Sequence, residues 1–191
     1  DATTPATGNI GLGTGAVDSI TTGDFNVGVG TSAGTGITTG SGNVAIGYET
    51  FNTNSTGSNN TAVGKESLQN NTTASNNTAT GYRSLKMNAT GAYNAAFGDS
   101  ALAQNTASFN TAVGSLAGSN ITSGGYNTTI GAAAGDAITT GANNVANGAY
   151  ALTENTTGGD NVAIGRVALG ANTTGNGNTA IGYACLDANT T

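Results

Sequence analysis

The chain has 191 residues, of which 32 are Gly, 7% are charged and 5% are aromatic, and it contains neither Trp nor His. Its net charge of −6 and its four basic residues, Lys65, Arg83, Lys86 and Arg166, exclude the basic stripe with which a nucleic-acid binder neutralises phosphates. No apolar run approaches the roughly 20 residues of a membrane-spanning helix, so no membrane insertion is expected. Large apolar side chains are too few for a thick core, yet the weak charge argues against disorder, and a narrow elongated core remains. The single cysteine, Cys185, has no partner for an internal disulfide and takes a repeat position held mainly by Ala or Ser, as a small filler would. The chain opens at Asp1 without a leader pattern, as expected of a processed form or a fragment.

Residues 1–8 form a short N-terminal arm, and a repeat occupies 9–191. Each unit opens with Asn, at Asn9, Asn26, Asn43, Asn60, Asn77, Asn94, Asn110, Asn127, Asn144, Asn161 and Asn178. Each has Gly four residues later, at Gly13, Gly30, Gly47, Gly64, Gly81, Gly98, Gly114, Gly131, Gly148, Gly165 and Gly182. The step is 17 residues throughout, except for one step of 16 between Asn94 and Asn110. A short period running end to end marks stacked units rather than a globular domain. With its Asn as position 1, the unit continues Thr or Val, Ala, Ile or Val, Gly, then Ala or Ser at 8, Leu at 9, Asn at 12, Thr at 13 and 14, and Gly at 15.

β-Branched and apolar residues beside an obligatorily small position 3 predict a short strand, with positions 4 and 2 expected on the inward face. Gly at position 5 predicts a corner that needs a positive φ. A single helical turn near positions 7 to 10 is compatible with the pattern, but two helices do not fit in 17 residues.

Position 9 is Phe51, Leu68, Leu85, Leu102, Leu152, Leu169 or Leu186 where position 12 is Asn; it is Gly34, Gly118 or Gly135 where position 12 is Ile37, Ile121 or Ile138. One large side chain is thus supplied by either site, which predicts that both point into one space. The expected fold is all-β: a β-solenoid (parallel β-roll or β-helix) of eleven 17-residue coils, about 50 Å long at ~4.8 Å per coil. The position 1 asparagines are expected to stack as a structural amide ladder. Asn54, Asn71, Asn88, Asn155, Asn172 and Asn189 at position 12 also open glycosylation sequons, which recur because the fold recurs.

The pentads, such as NTAVG at Asn60 and NVAIG at Asn161, resemble the head repeats of trimeric autotransporter adhesins. The full unit resembles repeat arrays of bacterial surface-fibre and phage tail-fibre proteins, over residues 9–191. The resemblance implies a left-handed parallel β-roll, a homotrimer and binding to host surface components; this unit is longer than that of the adhesin heads.

No His is present to act as base or metal ligand, and the carboxylates are scattered. Glu49 and Glu66, sharing position 7 in adjacent coils, form the one candidate acidic pair, and Lys65 beside Glu66 offers the plainer reading of a charged corner. Gly158-Gly159-Asp160 only hints at a calcium repeat. No catalysis, metal or cofactor is expected. Tyr48, Tyr82 and Tyr183 share position 6, and Phe25, Tyr93, Phe109 and Tyr126 precede the next Asn; such rings either cover core corners, the favoured reading, or stack on sugars. Threonines at position 2 and the pairs at 13 and 14, such as Thr38-Thr39 and Thr156-Thr157, keep an ice-binding grid in view.

Solenoids need capped ends, and neither Asp1–Gly8 nor the final unit, which stops at its fourteenth residue, makes a cap. The chain is therefore expected to belong to a longer fibre or to stack head to tail, the arm completing a neighbour's last coil. The expected role is a structural or adhesive extracellular fibre segment at the cell surface. The alternatives are a receptor-binding phage tail-fibre shaft on a virion and, less favoured, an ice-binding solenoid. Expected partners are further copies of the chain, cell-surface glycans or a host receptor.

Overall fold

A computed structural model describes residues 6–190 and shows an all-β solenoid. Eleven three-residue strands, one per unit, form a single sheet: β1 (Ile10–Leu12), β2 (Val27–Val29), β3 (Val44–Ile46), β4 (Thr61–Val63), β5 (Thr78–Thr80), β6 (Ala95–Phe97), β7 (Thr111–Val113), β8 (Thr128–Ile130), β9 (Val145–Asn147), β10 (Val162–Ile164) and β11 (Thr179–Ile181). Neighbours pair in parallel and in sequence order, position against like position, as in Thr61 with Thr78 and Ala62 with Ala79. The one-residue deletion between Asn94 and Asn110 leaves this register intact, because Ala95 still pairs with Thr111. Among the described residues there is no helix, and so none long and apolar enough to cross a membrane. Thr7 accepts a bond from the Phe25 N–H at 3.0 Å, and Gly8 has the positive φ of position 17, so coil pairing begins two residues before Asn9.

The strand faces the opposite way from the sequence expectation. Position 3 points inward: Ala45, Ala62, Ala79, Ala96, Ala112 and Ala146 are all fully buried, while positions 2 and 4 face outward. The reason is the thinness of the coil. A Cβ added to Gly28 at position 3 would lie 2.7 Å from the carbonyl oxygen of Ala33, the position 8 residue on the opposite wall. Only a small side chain fits there, so the small residue marks the inside and the large apolar one the outside.

The large interior side chains come from the turn that follows. Phe51, Leu68, Leu85, Leu102, Leu152 and Leu169 are fully buried, as are Ile37, Ile121 and Ile138. A Cβ placed on Gly118 would meet Cδ1 of Ile121 at 2.9 Å, and one on Gly135 would meet Cδ1 of Ile138 at 2.8 Å. Ile at 12 therefore occupies the volume that Leu at 9 fills in other coils. Cys185 packs in the same way at position 8, half-buried against the alanine-rich core.

No helical turn forms at positions 6 to 11. The chain makes two consecutive tight turns, closed for example by Ser84 N–H to Gly81 O at 3.4 Å and Asn88 N–H to Leu85 O at 3.1 Å. Positions 7 and 9 take left-handed backbone even with branched or large residues, with φ of 55° at Arg83 and 50° at Leu85. Such residues cost about 1–2 kcal/mol each. The conformation turns their N–H groups toward neighbouring coils: Arg83 N–H donates to Lys65 O, and Leu85 N–H to Ala101 O, both at 3.0 Å. Turns thus join the ladder that strands alone usually form, and backbone polar groups are satisfied around the circumference.

Gly at position 5 is required twice over. Its φ runs from 125° to 142° across the coils, and at Gly64 a Cβ would stand 2.6 Å from the carbonyl oxygen of Gly81 in the next coil. Gly64→Ala is expected to cost about 3 kcal/mol, the upper end for a forced backbone outlier, read as a lowered denaturation midpoint. Leu85→Gly should lose about 2–5 kcal/mol through the vacated core volume. Adding Asn88→Ile to it should recover a large part of that loss, so a double-mutant cycle in urea checks the shared space directly.

Candidate functional site

The interior carries a polar spine. Each position 1 Asn from Asn26 to Asn161 is at most 2% exposed. Its Oδ1 accepts the backbone N–H of the next such Asn, as in Asn77 N–H to Asn60 Oδ1 at 2.9 Å, and this bond is made at every step from Asn9 to Asn178. Its Nδ2 crosses the coil to the carbonyl of position 15, as from Asn43 to Gly57 at 2.9 Å. The same amide donates to the preceding Asn Oδ1 in most steps, such as Asn60 to Asn43 at 3.1 Å. At the short step Asn110 Nδ2 turns instead to Asn105 Oδ1 at 3.0 Å, while its backbone N–H keeps the bond to Asn94. The asparagines are therefore structural, and their amides are spent.

The position 12 asparagines are interior as well, although the Oδ1 of Asn71 and of Asn88 accepts no bond. Asn54, Asn71, Asn88, Asn155 and Asn172 are fully buried, and the amides of Asn54, Asn155 and Asn172 donate to Gly57, Gly158 and Gly175. Those of Asn71 and Asn88 donate to Ala74 and Gly91, while Asn189 is half-buried and reaches Asn172 at 3.4 Å. Fully buried, hydrogen-bonded amides do not present a glycan acceptor on the folded coil, so five of the six candidate sequons face the core.

The acidic pair separates into two different environments. Glu49 accepts from Gln69 Nε2 at 2.9 Å. Glu66 is ringed by cations: Lys86 Nζ at 2.7 Å, Arg83 Nε at 2.8 Å and Lys65 Nζ at 3.6 Å. Hydrogen bonds from Lys86 and then Arg83 outweigh desolvation and hold the Glu66 carboxyl down at about 2, whereas a general acid needs a raised value. Glu49 in turn pushes the Tyr48 phenol up, chiefly through a hydrogen bond. Lys65 sits between the rings of Tyr48 and Tyr82, 5.6 and 5.9 Å from their centroids, and Arg83 lies 4.7 Å from the Tyr82 centroid. Repeat arithmetic contained this cluster, since Arg83 shares position 7 with Glu66, and Lys86 follows three residues on; attention to Lys65 alone missed it. Among the described residues no group of His, Cys, Asp or Glu is placed to hold a metal ion.

The rings before the Asn do not cover the core. Tyr93, Phe109 and Tyr126 are 57%, 45% and 62% exposed and stack on one another, with centroids 5.2 and 4.8 Å apart and planes within 9°. Their faces are turned along the axis against each other, so both faces of Phe109 are taken up within the stack. The two members of each threonine pair differ: the position 13 hydroxyls of Thr38, Thr72, Thr139, Thr156 and Thr173 donate to carbonyls of the next coil at 2.8–3.1 Å, while Thr39, Thr73, Thr140, Thr157 and Thr174 at position 14 are exposed.

What stands free is the outer face of the sheet. Position 4 exposes Leu12, Ile46, Phe97, Val113, Ile130, Ile164 and Ile181, each 37% or more. No residue at positions 1 to 5 of any coil is charged. No protein-family model, curated protein or solved structure matches this chain.

Two measurements test these assignments. Asn77→Ala removes a buried acceptor and donor and strands the Asn94 N–H, while the Gly91 carbonyl keeps only its bond from Asn88, so a loss of about 3 kcal/mol is expected in equilibrium unfolding. Ionised Glu66 stabilises the fold fully above its unfolded value near 4.5, and that contribution disappears as pH falls through about 2. The melting temperature of the parent should therefore fall more steeply than that of Glu66→Gln between pH 5 and 2.

Proposed function

We propose that this chain is a structural or adhesive segment of an extracellular fibre, acting as a rod rather than as a catalyst. The observation that carries the reading is the identical coil-to-coil join: the same Asn N–H to Asn Oδ1 bond and the same strand register at each step from Asn9 to Asn178. A join that repeats unchanged can be extended without new geometry, which is what a shaft requires. The exposed apolar sheet face adds a lateral surface for copies of the chain, as in a homotrimer, or for a host receptor or cell-surface glycan, while a head-to-tail filament would extend the axial join itself. The pentads' resemblance to adhesin heads and tail fibres supports the same setting, at the cell surface or on a virion.

A phage tail-fibre shaft is the second reading, supported by the likeness of the full 17-residue unit. Ice binding is the third, supported by the exposed position 14 threonines, such as Thr39 and Thr157, and by Thr61, Thr78, Thr111, Thr128 and Thr179 on the outward side of the strands at position 2.

Electron microscopy of the native assembly should show rods of constant width, with about 50 Å contributed by each chain at ~4.8 Å per coil. Globular particles would sink the fibre reading. The isolated protein should show no thermal hysteresis; a measurable gap between melting and freezing points would favour ice binding instead.

A further inference from the structure

We infer that the outer sheet face is covered by a second copy of this chain, packed side by side with its axis parallel and in the same coil register. This deepens the fibre reading, on which it rests for lateral assembly, by naming the face and the partner.

Among the described residues, fifteen of the nineteen exposed large hydrophobic side chains lie at positions 2, 4 and 6 or directly before the next unit's Asn, the sheet columns and the two flanking them. The strand residues alone, eleven coils at ~4.8 Å by three residues at about 3.3 Å, give a face of about 500 Å² in projection, and the exposed columns at positions 17 and 6 flank it. Soluble monomers expose apolar patches of about 300–600 Å², and a specific interface takes about 800 Å² from each partner, so the strand face with its flanking columns approaches the size of one side of such an interface. Its composition also matches an interface: no charge at positions 1 to 5, and charges such as Lys65, Asp99 and Asp160 only at the rim.

Two polar residues in the apolar column set the orientation. Thr80 and Asn147 interrupt position 4. Most antiparallel or slipped pairings set each against an apolar side chain, at an uncompensated desolvation cost; the antiparallel pairing that sets Thr80 against Asn147 escapes it only by joining unlike groups and offsetting the two copies along the axis. A two-fold axis along the rod places Asn147 opposite the second copy's Asn147 and Thr80 opposite its counterpart, so each polar group meets one that can bond it. This registry does not depend on the number of coils. One self-complementary face forms a closed pair with a single contact, whereas the far side carries Asp18, Lys86 and Asp136 at position 10.

The test is the mass of the intact chain by sedimentation equilibrium, with circular dichroism to show that each variant keeps its fold. The parent is expected at twice the chain mass. Ile130→Lys sets two ammonium groups against each other and should weaken pairing by roughly 100-fold or more, whereas Thr157→Lys, on the exposed Thr corner, should leave it unchanged. Asn147→Cys combined with Cys185→Ser should give an oxidised, disulfide-linked pair if the registry is parallel. A folded parent at single-chain or three-chain mass overturns the pairing, as does a dimer that resists Ile130→Lys. A dimer without the cross-link overturns the parallel registry. A monomeric parent that still appears as rods would leave the fibre reading standing.

Discussion

The structure depends on one side chain doing three things at once. The position 1 Asn accepts a backbone N–H from the next coil, donates across its own coil to position 15, and in most steps donates to its preceding copy. A buried amide left without its cross-coil or coil-to-coil backbone partner would incur a desolvation cost, whereas the amide-to-amide bond is dispensable, since Asn127 lacks it. The backbone-directed bonds therefore impose a coil of fixed size and a stack of fixed register together. Asp could not substitute, because a carboxylate lacks the N–H donors, and stacked charges would repel along the spine.

That spine explains the small size of the hydrophobic core. Position 3 faces the carbonyl of position 8 so closely that only Gly, Ala or Thr fits, and one larger residue per coil, at 9 or 12, fills the remaining space. Burial is shallow in cross-section but continuous along the axis. Backbone conformations that would be liabilities singly, such as the left-handed leucines at Leu68, Leu85 and Leu102, are tolerated because each one aims an N–H at a neighbouring coil. Coils gain stability only by stacking, which favours long arrays over isolated units.

Away from the spine the surface is not uniform. The units opening at Asn60 and Asn77 gather three of the four basic residues around Glu66, and Tyr93, Phe109 and Tyr126 form a ring stack across the one-residue deletion. Both features follow from the same rule: any side chain repeated at one position is brought beside its copy one coil away. Charge pairs and ring stacks thus arise from single substitutions in the repeat, without change to the fold.

Sequence alone established the period, the Asn ladder, the Gly corners and the exchange of Leu85-type for Ile121-type packing, because each is a constraint that every coil must obey. The exchange was legible because two positions varied together within a constant total volume. Which way the strand faced was decided only in three dimensions. Alternation shows that Ala62 and Val63 lie on opposite faces, but not which of them meets the far wall, and that depends on a separation set by the whole coil. For the same reason Glu66 found Arg83 and Lys86 through the stacking of coils rather than through its chain neighbours. Local sequence specifies what each coil repeats; the closure of the coil specifies which side of it meets the world.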